Sequence, residues 1–367
     1  MLALLPILAT GSGAAAGTPT ATSENGPIAV SGEKGIYLVD PQGSNRRLLP
    51  GTASAEEVSW SLDGSRVAFT RGFNVYALQA DGKSLRLVMR NAESPSWAPN
   101  GERLSVVHET CDRSDDCVWD QAIYTVGPDG SDPRLLTSAL DEPDGTPPVW
   151  SPDGKWIAYG TFDGIATRRP DGGGLSWPTG YDEDDFLNEV TWSPDNAWIV
   201  FSTDEAIYRM RPDGDSFHQL AAGESFQNLS WSPDGSAIAF DHIVDESHGS
   251  QVTIIDVDTG KQRDLTREPL VSFAPAWSPD GKQLAFLGCD RSASSRVDED
   301  CGEGPGGKLW VVDADGTNLR RLKERSSGPP TWLPAVPGAS VPVPAAQDAQ
   351  PSPSWGPASP DDAPSGA

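Results

Sequence analysis

Three short runs of this 367-residue chain crowd carboxylates closely enough to do chemistry: DRSDD at 112–116, YDEDD at 181–185 and VDEDC at 297–301. Hard oxygen donors at that density suit Ca²⁺. None of the runs has EF-hand spacing, so the expectation is no resident cofactor, with calcium as the one candidate. DVDTG (256–260) and VDADG (312–316) read as hairpin turns instead. Among the four histidines, His108 and His242 are both expected just past a strand and near acidic segments, where a shared metal would turn them into a hydrolytic or eliminating centre. No Gly-x-Ser-x-Gly elbow, P-loop or dinucleotide fingerprint is present, which removes the serine-hydrolase and nucleotide-binding classes that depend on them.

These runs interrupt a repeat. WSPDG stands at 150–154, 231–235 and 277–281, with WSLDG at 60–64, WAPNG at 97–101 and WSPDN at 192–196. The stretch reads as a type I turn: Pro at the second position, Asp at the third, then Gly in the left-handed region. Asn196 replaces Gly where only a residue tolerant of positive φ fits, and Leu62 replaces a Pro that such a turn favours without requiring. Each turn precedes a β-prone run, such as RVAF (66–69) or AIAF (237–240), and a second run leads to another Asp/Gly turn, as in IYRMRPDG (207–214). A last run, often Arg-Leu, closes the unit. Four short strands per unit, with Trp-to-Trp spacings of 37, 53, 42, 39 and 46 residues, match a propeller blade.

The ends complete the count. Trp332 in PPTWLP supplies a first strand with nothing after it, while PIAV (27–30), GIYLVDPQG (35–43) and RRLL (46–49) supply a second, third and fourth with nothing before. The expected fold is all-β: a seven-bladed propeller over 25–335, closed by one C-terminal and three N-terminal strands. The repeated motif resembles the TolB-like, WD40-like β-propeller repeat, and the resemblance covers nearly all of the patterned chain. It implies the architecture; TolB itself has six blades where this chain counts seven. Related repeats occur in prolyl oligopeptidase-like enzymes and in pectate-degrading lyases with a His-rich metal centre. The latter resemblance lends the His108/His242 pair its alternative reading, a metal-dependent propeller hydrolase or lyase with its site at the channel mouth.

LALLPILAT (2–10), followed by three alanines, resembles the core of a secretory signal, so residues 1–24 read as a leader and linker. The Pro/Ala/Ser-rich stretch 336–367 reads as a disordered tail. No apolar run is long enough to span a bilayer. The four cysteines fall as two local pairs, Cys111/Cys117 and Cys289/Cys301. Four cysteines allow three connectivities, and the local one is expected because the two insertions sit on non-adjacent blades. Two disulfides and the leader point to a periplasmic, cell-surface or secreted protein.

The net charge of −26 is concentrated. Segments 109–120, 138–146, 180–189, 241–249 and 289–303 carry 21 acidic and 3 basic residues, a net of −18. By strand alternation all five belong to the face opposite the WSPDG turns. An anionic face excludes nucleic acid and anionic membrane surfaces, which need Lys and Arg. It suits a protein or peptide with a basic surface, bound by a monomeric and non-enzymatic disc. The candidate partner-binding residues are Asp112, Asp115, Asp116 and Trp119; Tyr181, Asp182, Glu183, Asp184, Asp185 and Phe186; and Asp298, Glu299 and Asp300, the aromatics included because rings amid charged loops are typical of recognition surfaces.

Overall fold

Each WSPDG turn ends one strand and starts the next, and the serine and aspartate of the motif lock it. In a computed structural model of the chain, Ser61 Oγ donates to Asp63 Oδ1 at 2.6 Å while accepting the Arg66 N–H at 2.9 Å. Asp63 Oδ1 also takes the Ser65 N–H, and the Gly64 N–H closes the turn on the Ser61 carbonyl at 2.8 Å. The same Ser–Asp bond recurs at Ser151–Asp153, Ser193–Asp195, Ser232–Asp234 and Ser278–Asp280, all at 2.6–2.7 Å. In the WAPNG copy Ala98 cannot make it, and Asn100 Oδ1 takes the Glu102 N–H alone. Gly64, Gly154, Gly235 and Gly281 have φ of 66–73°, and Asn196 has φ 62° in the same place.

The structure describes residues 25–109, 121–137, 143, 146–179, 187–223, 225–245, 249–267, 269–290 and 307–335. They form seven four-stranded antiparallel sheets in a ring. Numbering blades by the motif tryptophans, the first strands are Glu56–Trp60, Ala92–Trp97, Val149–Trp150, Leu187–Trp192, Gln227–Trp231, Leu270–Trp277 and Thr331–Pro334. First strands of neighbouring blades touch, whereas fourth strands such as Gln262–Asp264 and Arg134–Leu135 are exposed. The first strands therefore surround the axis and the fourth strands make the rim.

The core is divided among the gaps between blades, with one apolar cluster per neighbouring pair. Nine residues after each motif Trp, in the second strand, stand Phe69, Val106, Tyr159, Phe201, Phe240 and Phe286, all fully buried. Each packs back on the preceding blade: Phe240 against Val200 and Ile207, Phe286 against Ala239 and Val252, Phe69 against Ile36 and Leu38. Burying one such ring contributes about 1.5–3 kcal/mol. The motif indoles add polar links, since Trp97 donates to the Ser59 carbonyl, Trp150 to Ser96 and Trp192 to Val149, each at 3.2 Å. On the turn face, prolines sit under the next blade's glycine, Pro99 under Gly154 and Pro194 under Gly235.

The expected closure is present. Thr331–Pro334 pairs antiparallel with Asn25–Gly32, with Ile28 opposite Trp332 and Ala29 opposite Thr331. Trp332 Nε1 donates to the Gly26 carbonyl at 3.2 Å, and its ring joins Ile28, Val30 and Leu309 in the cluster that bridges blades 6 and 7. Two expectations are adjusted. Segment 241–249 is largely strand rather than loop, because Ala237–Asp245 pairs with Gly249–Asp256 as far as Asp245/Gly249, with one register shift between Ile243 and Asp245. His108 and His242 lie within second strands rather than past them.

Trp332→Ala, which opens the seam, should lower unfolding free energy by about 3–5 kcal/mol, whereas Trp177→Ala, on an exposed fourth strand, should cost under about 1 kcal/mol; urea titration of both variants is the check. Asp234→Ala, which unlocks one turn without touching the core, should cost about 1 kcal/mol in the same assay.

Candidate functional site

A regular first strand cannot pass the crowded axis undisturbed, and five of the seven carry a register shift. In blade 7 the shift, between Asn25 and Ile28, falls in the second strand instead; in the first strands the shifts lie between Glu56 and Ser59, Glu93 and Ser96, Leu187 and Glu189, Gln227 and Ser230, and Phe273 and Ala276. In four of them the residue three before the Trp has positive φ: Glu57 (47°), Ser94 (51°), Asn228 (55°) and Ala274 (54°). A side chain in that region costs about 1–2 kcal/mol, and a bulge leaves backbone N–H groups unpaired in its own sheet.

Carboxylates from the preceding blade accept those N–H groups. Glu57 Oε2 takes the Ser94 N–H at 2.8 Å and the Thr70 hydroxyl at 2.7 Å. Glu189 Oε2 takes the Leu229 N–H at 2.8 Å. Asp241 Oδ1 takes the Ala274 N–H at 2.8 Å and Asn228 Nδ2 at 2.9 Å, while its Oδ2 accepts a longer bond from Ser250 Oγ, 3.3 Å. Burial pushes Glu189 up to about 7 and Asp241 up to about 6, the backbone donors and Asn228 opposing the rise. Burial also raises Glu93, with the charges of Glu57 and Glu109 adding to it.

Two cavities open where these groups meet. The larger, about 430 Å³, is bounded by Asn228, Asp241, Ser250, Phe273, Ile243 and Pro329, among others. The smaller, about 340 Å³, is bounded by Thr146, Pro147, Asn188 and Glu189. Gln227 and Asn228 line both, so the two join at the first strand of blade 5. Both lie on the face away from the WSPDG turns, at the ends of second strands and the starts of first strands. Among the described residues neither lining includes Lys, Arg or His.

The sequence-derived candidates Asp112, Asp115, Asp116, Trp119, Tyr181, Asp182, Glu183, Asp184, Asp185, Phe186, Asp298, Glu299 and Asp300 lie outside the described residues. So do Cys111, Cys117 and Cys301; Cys289, at the end of its strand, is buried and is not a free thiol. The segments bearing these residues leave the disc on the cavity face, between Glu109 and Gln121, Thr179 and Leu187, and Asp290 and Gly307. His108 and His242 are not brought together. His108 packs edge-on to Tyr124 in blade 2. His242, in blade 5, stacks on Phe226 and meets Thr253 Oγ1 through Nε2 at 3.3 Å. Burial lowers the affinity of both rings for a proton. Among the described residues no group of three or more His, Cys, Asp or Glu converges as a metal would require.

No protein-family model matches the chain. TolB from Acinetobacter baumannii superposes with a TM-score of 0.50 at 20% identity, over 84% of this chain and 83% of that one. The fold is that of a TolB-like β-propeller. An oligogalacturonate lyase in complex with manganese gives a TM-score of 0.52 at 15% identity, over 69% of this chain and 79% of that one. At such identities the likeness concerns the TolB-like architecture alone. In sequence, the uncharacterized peptidase YuxL of Bacillus subtilis (strain 168) is 27% identical over 253 residues. That stretch is 68% of this chain, yet the chain spans only 29% of the relative's length. No helix among the described residues is long and apolar enough to cross a membrane.

The residues that sequence reasoning missed are the bulge carboxylates and Asn228. A signal existed: the position three before the Trp reads Glu57, Ser94, Glu189 and Asn228 in four units, polar in a strand that faces its neighbours. The raised carboxylates give a pH test. Glu189 binds its proton more tightly in the folded state, so its contribution to stability is complete below about pH 4.5 and lost as pH rises through about 7. Glu189→Gln keeps an acceptor for Leu229 and removes the titration. Its melting temperature should match wild type near pH 4.5 and exceed it by a few degrees at pH 8; parallel curves would refute the assignment.

Proposed function

We propose that this propeller is an exported, non-enzymatic binding protein whose cavity-bearing face receives a protein or peptide with a basic surface. The observation that carries the reading is one of placement. The joined cavities, lined among the described residues by two carboxylates and no basic side chain, open on the face from which the acidic segments emerge. Such a field gathers cationic partners from solution and orients them toward the mouth. The carboxylates at the first strands are engaged with bulge N–H groups, which suits a scaffold better than an acid–base pair free to exchange protons with a substrate. Export fits two local disulfides, 111–117 and 289–301, in a periplasmic, cell-surface or secreted monomer, and non-reducing peptide mapping would recover those links.

A second reading has its own support. The identity with a peptidase and the fold shared with a manganese-containing lyase favour a metal-dependent hydrolase or lyase acting at the channel mouth, with calcium as the alternative ion. Metal analysis of the purified protein, followed by peptide and polyuronide turnover assays, separates the two; tightly held metal with turnover would establish the enzyme.

For the binding reading, a fluorescein-labelled octapeptide of alternating Lys and Ala serves as probe. Replacing Asp182, Glu183, Asp184 and Asp185 together by their amides should slow association several-fold at low salt, with stability nearly unchanged. The difference should shrink as salt rises and screens the field. Unchanged association at low salt would count against this face.

A further inference from the structure

The larger cavity has a chemistry narrower than "acidic". Its lining combines apolar Phe273, Ile243 and Pro329 with polar Asp241, Ser250 and Asn228. Asp241 is only 5% exposed. Its Oδ1 is held by two N–H donors, and its Oδ2 carries the longer Ser250 bond. A carboxylate so placed is expensive to ionise without a positive charge beside it, and among the described residues no Lys or Arg lines the cavity. Across Asn228, Glu189 lines the smaller cavity, so each cavity holds one carboxyl that a neighbouring cation would ionise. An anion is disfavoured there. A metal ion would have to displace the two donors from Oδ1, and among the described residues no group of three His, Cys, Asp or Glu converges there. The remaining ligand type has an apolar stem and a cationic head, which is the make-up of lysine and arginine side chains. The volume of about 430 Å³ lies within the range of sites that enclose such groups.

We propose that this cavity seats a lysine or arginine side chain of the bound peptide, its stem along Phe273 and its cationic head at Asp241 and Ser250. The assignment rests on the reading of this face as a peptide-binding surface and adds the anchoring position. It also separates two roles. The outlying acidic segments attract the partner over distance, where salt screens them, whereas Asp241 holds it at contact, where screening is weak. Charge-assisted hydrogen bonding at a desolvated carboxylate acts on the dissociation rate.

Stopped-flow fluorescence with the labelled Lys-Ala octapeptide reads both rates. Asp241→Asn should leave association unchanged and speed dissociation tenfold or more, at low and at high salt alike. Gln227 is exposed and lines both cavities, so Gln227→Trp fills the trough from its rim without disturbing the core. It should speed dissociation to the same degree, and it keeps the test decisive if Asp241→Asn unfolds. The lysine-acetylated octapeptide should dissociate tenfold faster from wild type and show no further loss on Asp241→Asn. Butylamine, an ammonium without a peptide backbone, should compete only at millimolar concentration. Wild-type dissociation rates in both variants, with association still slowed by the Asp182–Asp185 replacements, would overturn the anchoring site and leave the peptide-binding reading standing. A wild-type protein that binds neither peptide form would overturn both.

Discussion

A four-stranded sheet has two faces to bury and cannot bury either alone. Here every blade solves the problem with its neighbour: six use the aromatic or valine nine residues after the motif Trp, blade 7 uses Ile28 and Val30 of its N-terminal strand, and each completes an apolar cluster in the preceding gap. Because one cluster fills each gap, the core is continuous around the ring and absent from its axis. The Ser–Asp lock of five of the turns, the proline beneath the next blade's glycine and the indole bonds between first strands all keep adjacent sheets at the angle those clusters need. Damage to one gap therefore opens two blades.

The axis bears the consequence. Strands tilted to serve the gaps converge there, and the bulges at Glu57, Ser94, Asn228 and Ala274 relieve the crowding. At three of them Glu57, Glu189 and Asp241, from the blade before, accept the freed N–H groups of Ser94, Leu229 and Ala274. The buried carboxylates are thus part of the ring's architecture first. Their second effect is electrostatic: they place carboxyl groups at the cavity walls without occupying the cavities.

The fold was legible in the sequence because a turn that needs Ser, Asp and Gly together leaves a five-residue signature wherever it occurs, and the split seventh unit followed from counting. The site was legible only as a charge. Strand ends at Asp241–Asp245 read as loop because polar residues there pair across a hairpin that outruns the apolar pattern. The histidines read as neighbours because position within a repeat says nothing about which blades face each other. Asn228 and Glu189 were hidden for a different reason: their roles depend on a bulge, and a bulge is set by tertiary crowding rather than by local preference.

The seam couples the first and last described strands across 306 residues, the separation of Gly26 and Trp332. Joining points that far apart in a flexible chain costs about 5 kcal/mol of closure entropy, and nothing local helps to meet that cost until the six intervening blades have stacked. During vectorial synthesis or passage through a pore, the opening hairpins of blade 7 must wait, edge exposed, for the strand that arrives near the end of the chain. The ring is therefore a clock as well as a scaffold: its mouth acquires a defined shape only after residues 331–334 have emerged, so any partner that reads that shape meets a finished molecule.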